Sequence, residues 1–335
     1  MAATMMRRSL SLLVAMPAAL AGASTGGCAL EPAESPTRGR LTAVVCESHA
    51  GLLSREADVF NSLYPDARVS VRPASTREAF VALLADSVSF VVVDRSPNAE
   101  ELGAIHTSRL DLKEVRIAHD ALGLFVNRAN GLAAVTREQA DGLLAGRIDD
   151  WSALPEAGFD GPVQLALTGR NSGAYELLTG RFFPDAAPAP TLPATTQDEV
   201  LAAVAREPRA IGVASVAAWK AAEKALDDSA GAPPTDAGER AGWADGAAGG
   251  AGSPWRALAV SAPDSEGAVA PRRLHQANVH AGLYPLHYPI YAYFNRRSRL
   301  AMGFSTFIAS APGQKMILDA GLVPATMPVR LVHLR

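Results

Sequence analysis

From Leu41 to Ser215 one pattern recurs along the chain: a short apolar run, a turn, then a stretch of helical spacing. Leu41 to Cys46 reads as a strand, and Leu52 to Leu63 as an amphipathic helix that ends before Tyr64-Pro65. Ala67 to Arg72 and Thr76 to Ala85 repeat the pair, and Ser75 with Glu78 three residues on forms a capping box at the second helix. "SFVVVD", Ser89 to Asp94, is an apolar run of the kind buried on both faces in parallel sheets. Strands that alternate with helices need a sheet covered by helices. That is an α/β fold, in which the loops at strand ends are the natural ligand sites. At 335 residues the chain exceeds what one small core organises, so two lobes are expected, and an apolar content of 48% is ample to pack them.

A second set follows the first. "DALGLFVNR", "VQLALTGR" and "AIGVAS" read as strands, "TREQADGLLAG" and "TQDEVLAAVAREP" as helices. Residues 221–256 break the pattern with an aperiodic mixture of Ala, Gly, Asp and Pro, expected to be a flexible surface insertion that Trp243 and Trp255, near its end, dock in part back on the body. The chain resumes with "RALAVSA", the proline-punctuated "YPLHYPIYAYFN", and two helices around "GFSTFIASAPGQKMILDAGLVPA".

The N-terminus reads as an export leader. Arg7 and Arg8 precede an apolar stretch, Leu10 to Ala23, too short for an ordinary spanning helix. Small residues then lead to Cys28, and the arrangement resembles a bacterial lipoprotein signal, with Thr25 departing from the usual leucine-like residue three before the cysteine. The resemblance implies a signal peptide over 1–27, lipidation of Cys28, and a Pro/Glu/Ser/Gly tether over 28–40 that joins a membrane anchor to a folded body. Ordinary secretory cleavage nearby is the alternative. Such a protein would sit in the cell envelope, in the periplasm or on the outer face of the membrane.

The formal net charge is -3, and loss of residues 1–27 leaves 29 basic against 34 acidic residues, which excludes a nucleic-acid binder driven by bulk charge. Two cysteines, one of them in the leader region, provide no disulfide framework or cysteine metal site, and Cys46 reads as a packed thiol. His275, His280 and His287 lack the spacing of a zinc site, so no metal and no cofactor is expected. His49 and His119 fall beside the loops of interest, where a cleft histidine would gain positive charge below about pH 6.5.

"LTGRNSGAYELL", Leu167 to Leu178, places Arg170 two residues ahead of Ser172-Gly173, with a helical pattern opening at once. A forked guanidinium, a hydroxyl and the N–H groups of a helix start all favour an oxyanion. Arg170 has an alternative, a surface ion pair with Glu176 or Asp198, and Ser172 an alternative as a plain N-cap.

Six tokens in order extend this reading. They are "HDALGLFVNRAN", "TREQADGLLAGRIDDWSAL", "GRNSGAYELL", "REPRAIGVAS", "YPLHYPIYAYFN" and "SAPGQKMILDAGLVP". Together, over about residues 41–325, they resemble the phosphate-binding proteins of bacterial phosphate ABC transporters, of the type II periplasmic binding protein family. The resemblance implies an α/β fold of two lobes joined by hinge strands, with lobe 1 over 41–117 and 285–335 and lobe 2 over 118–284. It implies a monomer that captures phosphate or a similar oxyanion and delivers it to ABC permease subunits. On the family pattern Arg170, Ser172 and Gly173 form the anion loop, and Ser48, Ser75 and Thr76 supply donors from two further loops.

Four positions depart from the family. Ala174 replaces a threonine; Glu47 introduces a carboxylate into the first loop; Arg77 adds a cation to the second; Ser89 stands where the family aspartate was placed, at the opening of the third strand, with Asp94 aligned to the turn after it. Two other functions compete with capture for import. One is an enzyme with Ser172 as nucleophile and His49 or His119 as base, although the Gly-x-Ser-x-Gly elbow is absent. The other is a sensory or surface module that kept the fold while its anion site degenerated.

Overall fold

The structure, a computed structural model, describes residues 33–108, 110–229, 253–263 and 267–326. The leader, Cys28 and Trp243 lie outside the described residues. Part of the expected tether is folded. Glu34 Oε1 accepts hydrogen bonds from Ser298 Oγ (2.8 Å) and the Leu300 N–H (2.6 Å), so the body begins there.

The chain opens with β1 (Gly39–Cys46), α1 (Glu47–Leu63), β2 (Ala67–Ala74), α2 (Thr76–Leu84), β3 (Phe90–Val93) and α3 (Ala99–Thr107). β1 lies between β2 and β3 and is parallel to both. All four residues of β3 are buried, as a strand covered on both faces must be. The capping box of α2 forms in both directions, Ser75 Oγ accepting from the Glu78 N–H and Glu78 accepting from the Ser75 N–H. Phe60 of α1 and Phe90 of β3 meet Phe304, each pair with ring centroids 5.4 Å apart, and each buried ring contributes roughly 1.5–3 kcal/mol.

The sixteen-residue β4 (Leu112–Asn127) then crosses the molecule. After it come β5 (Ala134–Val135), α4 (Arg137–Leu144), β6 (Gln164–Thr168), α5 (Gly173–Leu177), β7 (Leu192–Ala194), α6 (Gln197–Arg206), β8 (Ala210–Ser215) and α7 (Val216–Ser229). β9 (Trp255–Ala257), β10 (Ala259–Pro263), β11 (Val269–Arg272), α8 (Gln276–His280), β12 (His287–Asn295), α9 (Arg299–Ile308), α10 (Ala311–Asp319) and β13 (Val323–Pro324) complete the chain. The helix α7 continues to Ser229, so the stretch expected to be flexible from 221 starts with ordered helix. At its other end Trp255 is buried, and its indole N–H donates to Leu201 O (2.6 Å).

The main sheet runs β2-β1-β3-β12-β4-β8-β6-β7. Within it, β4 pairs with β12 up to Ala121 and with β8 from Leu122 onward, so one strand belongs to two sheet halves. Parallel β6, β7 and β8 form the second half as β1, β2 and β3 form the first. The result is the two-lobed α/β fold of a type II periplasmic binding protein.

Candidate functional site

In a parallel sheet the carboxyl ends of the strands open on one edge, and helices leaving them aim their N-termini there. In the first half the register aligns Val45 with Val92 and Cys46 with Ala74. One residue further on, Glu47 starts α1, Ser75 caps α2, and Asp94 follows β3. Thr76, the first residue of α2, is buried, and its Oγ1–H donates to Asp94 Oδ1 at 2.6 Å.

The second half brings one strand end to the same place. β6 ends at Thr168, the loop 169–171 follows, and Ser172 caps α5 by accepting from the Tyr175 N–H (3.2 Å) while sharing a 2.5 Å hydrogen bond with Thr168 Oγ1. Gly173 then passes directly against the Asp94 carboxylate; a Cβ at this position would overlap Oδ2. The glycine is needed for that close approach of backbone to an anionic group. Asp94 therefore stands between a hydroxyl of one half and the backbone of the other.

Two more contacts join the halves beside it. Arg95 donates through Nε to Glu176 of α5 (2.9 Å) and through Nη1 and Nη2 to Glu101 of α3 (2.7 and 3.1 Å). Burial opposes the charge of Arg95, but the hydrogen bonds and charges of Glu101 and Glu176 outweigh it and raise its pKa further. Gln197, at the start of α6, donates to Ser48 Oγ (2.7 Å) and accepts from the Ser215 N–H (2.6 Å).

Behind this edge lies a sealed polar network. Burial, with Asp94 and Asp120 nearby, raises the Cys46 thiol well above its usual value, so Sγ–H donates to His49 Nδ1 (3.1 Å). His49 Nε2–H then donates to Asp120 Oδ2 (2.9 Å), which also receives Tyr288 O–H (3.1 Å), while Asp120 Oδ1 accepts the backbone N–H of Ala121 (2.7 Å) and of Val216 at the start of α7 (3.1 Å). Cys46, His49, Asp120 and Tyr288 are all buried, and a protonated thiol without access is no nucleophile.

The residues singled out from sequence are not all gathered. Thr76 and Gly173 meet at Asp94; Ser172, next to Gly173, is bonded to Thr168 and caps α5; Ser75 is one residue from Thr76 and is occupied as a cap; Ser48 is tied to Gln197. Ser89 is not at this edge. It precedes β3 at the opposite end of the strand, where its carbonyl accepts from the Asn295 N–H, and four residues of strand separate it from Asp94 by roughly 15 Å. Asp94 is the carboxylate held by Thr76 and set against Gly173, and its position at the carboxyl end of a buried strand was the signal for it. Arg170 is exposed on the loop before α5 and makes no hydrogen bond or ion pair among the described residues. The pairing with Glu176 weighed for it is taken by Arg95.

The histidines differ from expectation. His49 is inside the network, and Ser172 bonds to neither His49 nor His119. Burial, then the nearby Arg116, His287, Arg181 and His280, lower His119 to a pKa of about 4, so it stays neutral through the range in which it was expected to charge. His275 caps α8, its Nδ1 accepting from the Ala277 N–H. Among the described residues no group of three His, Cys, Asp or Glu is placed to hold a metal.

Two α/β halves share a crossing strand, and a hydroxyl of one half and the backbone of the other close on one buried carboxylate. The PBP superfamily domain matches residues 30–312, and the chain belongs to that family. The phosphate-binding protein PstS of Pseudomonas aeruginosa is 29% identical over 178 residues, 47% of this chain and 54% of that protein, so the chain spans about half the length of the curated relative it matches. In fold, the chain is similar to an ABC-type phosphate transport receptor from Vibrio cholerae (TM-score 0.60, 19% identity, 85% of this chain and 100% of that one). It is also similar to a phosphate-binding protein from Stenotrophomonas maltophilia (TM-score 0.58, 15% identity, 86% and 91%).

Proposed function

We propose that the protein captures a small oxyanion, phosphate first among them, between its two halves and presents it to the permease of an ABC importer. The observation that carries this reading is Asp94, held by Thr76 of one half and set against Gly173 of the other. A carboxylate so placed accepts the proton of a hydrogen-bearing oxyanion and repels a fully ionised one. The hydroxyls of Ser172 and Ser48 and the starts of α1 and α2 supply donors, and Arg170 is free to fold onto the ligand. Residues 41–121 with 285–326 form one lobe and 122–284 the other in this reading, with β4 as hinge. The engaged hydroxyl of Ser172 and the sealed thiol of Cys46 support a binder over a catalyst.

Thermal melting of the full chain with phosphate, arsenate, sulfate and molybdate tests it. At a hundred times its dissociation constant a ligand adds about 2.7 kcal/mol of stability. Phosphate and arsenate are expected to raise Tm, sulfate is not, and Arg170→Ala or Thr76→Val is expected to lessen the effect. No shift with any anion would turn the assignment to a second reading, a sensory or surface module with a degenerate site. Glu47, set beside Asp94 on the same edge, is the observation that favours that alternative.

The protein is further proposed to be tethered in the cell envelope by a lipid on Cys28. No helix of the described residues is long and apolar enough to cross a membrane, and a lipidated cysteine ahead of a body that begins at Glu34 needs none. Expression with a radiolabelled fatty acid should label the native chain and leave Cys28→Ser unlabelled; equal labelling of both removes the anchor from the proposal.

A further inference from the structure

Glu47 departs from the family pattern at the mouth of the site, and the fold puts it to use. It is the first residue of α1, directly after β1, and Asp94 directly follows the neighbouring parallel strand β3, so the two leave adjacent strand ends at the same edge of the sheet. The groups that act on its carboxyl are all acidic. Partial burial raises its pKa, and the charges of Glu78 on α2 and Asp94 after β3 raise it further. Glu78 is committed to its capping box with Ser75. Arg95, the nearest cation in sequence to Asp94, is taken up by Glu101 and Glu176. Glu47 and Asp94 therefore bring two carboxylates to the same strand-end edge of the sheet.

Building on the proposed capture of phosphate, we infer that Glu47 is a specificity-determining residue that, together with Asp94, selects the monobasic form of the anion, with one P–O–H donated to each carboxylate. Dibasic phosphate has a single O–H. It satisfies Asp94 and leaves a bare phosphate oxygen against Glu47, where like charges repel. Monobasic phosphate has two, and its remaining oxygens turn to Ser172, Arg170 and the helix starts. The same argument excludes methylphosphonate in its monoanionic form, which has one O–H and an apolar methyl in place of the second.

The test is calorimetric titration of the full chain with inorganic phosphate at pH 5.5, 7 and 8.5, for the native protein and for Glu47→Gln. Glu47 is exposed at a helix start, and the amide keeps its size, so the variant folds and its Tm without ligand serves as the control. The native affinity is expected to fall about tenfold or more from pH 5.5 to 8.5, as the monobasic form of the anion disappears. Glu47→Gln needs only the one proton that dibasic phosphate carries. It is expected to lose most of that fall, to bind phosphate more tightly than the native chain at pH 8.5, and to gain binding of methylphosphonate.

A variant that follows the native pH profile overturns the inference and leaves phosphate capture standing. Binding by Glu47→Gln where the native chain shows none at pH 8.5 supports it. Phosphate bound by neither protein at any pH overturns the capture reading and the role of Glu47 with it.

Discussion

At the scale of single residues, the most costly group outside the site is Glu56. It lies on the inward face of α1 with Leu53 and Phe60, is fully buried, and neither carboxyl oxygen has a hydrogen-bond partner among the described residues. Burial raises its pKa to about 8, only weakly opposed by Arg55. In the unfolded chain the group ionises near its ordinary value of 4.5, whereas in the fold it keeps its proton up to about pH 8. The proton thus favours the folded state. Its contribution is complete below about 4.5 and is lost as pH rises toward 8, by about 1.4 kcal/mol per unit. Urea unfolding at pH 6 and pH 8 is expected to show a loss of about 2 kcal/mol in the native chain from this group. Glu56→Met, which fills the space without an ionisable group, should be less pH-dependent over that window and more stable at pH 8. Equal pH dependence of both proteins would show that the carboxyl finds water or a partner in solution.

At the scale of elements, the first half was legible because each unit announces itself locally. Four-residue β3 is apolar throughout, and the Ser75-Glu78 capping box marks the start of α2. Where local signals are weak the reading stopped short. The opening of β4 contains Lys113, Glu114 and Arg116, and its strand character comes from pairing with β12, some 170 residues away. The helix α3 is short and polar, although its own capping box, Asn98 with Glu101, was there to be read. The helix α1 begins at Glu47 with no side-chain cap, five residues before the apolar spacing suggests. The site divides the same way. Hydroxyls and a glycine at helix starts are sequence features, and Thr76 and Gly173 do meet, at Asp94. Which end of β3 reaches them depends on strand direction in the sheet, and this exchanged Ser89 for Asp94. Contacts between halves, such as Arg95 with Glu176, join residues 81 apart in the chain and leave no local trace.

At the scale of the whole molecule, the two halves are held at two places of different character. At the hinge, the buried Asp120 gathers hydrogen bonds from α1, β12, β4 itself and α7. At the mouth, Arg95 and Glu176 form a partly exposed ion pair, with side chains 19% and 23% accessible. On the proposed capture reading, a fixed pivot with a breakable clasp is what hinge opening requires, and the clasp sets how much of the closed form exists before ligand arrives. Glu176→Gln removes the charge from the clasp while Arg95 keeps its fork on Glu101 and the pivot is untouched. The variant is expected to have a larger radius of gyration than the native chain in small-angle scattering without phosphate, and the same one when saturated. Because the ligand must now close a molecule that was partly closed before, its affinity should fall by about three- to tenfold, mostly through faster release. Raising the salt concentration should weaken the native chain toward the variant, since a partly exposed pair is screened. A variant with unchanged scattering and unchanged affinity would place the whole of closure in the pivot and the ligand, and make the pair a bystander.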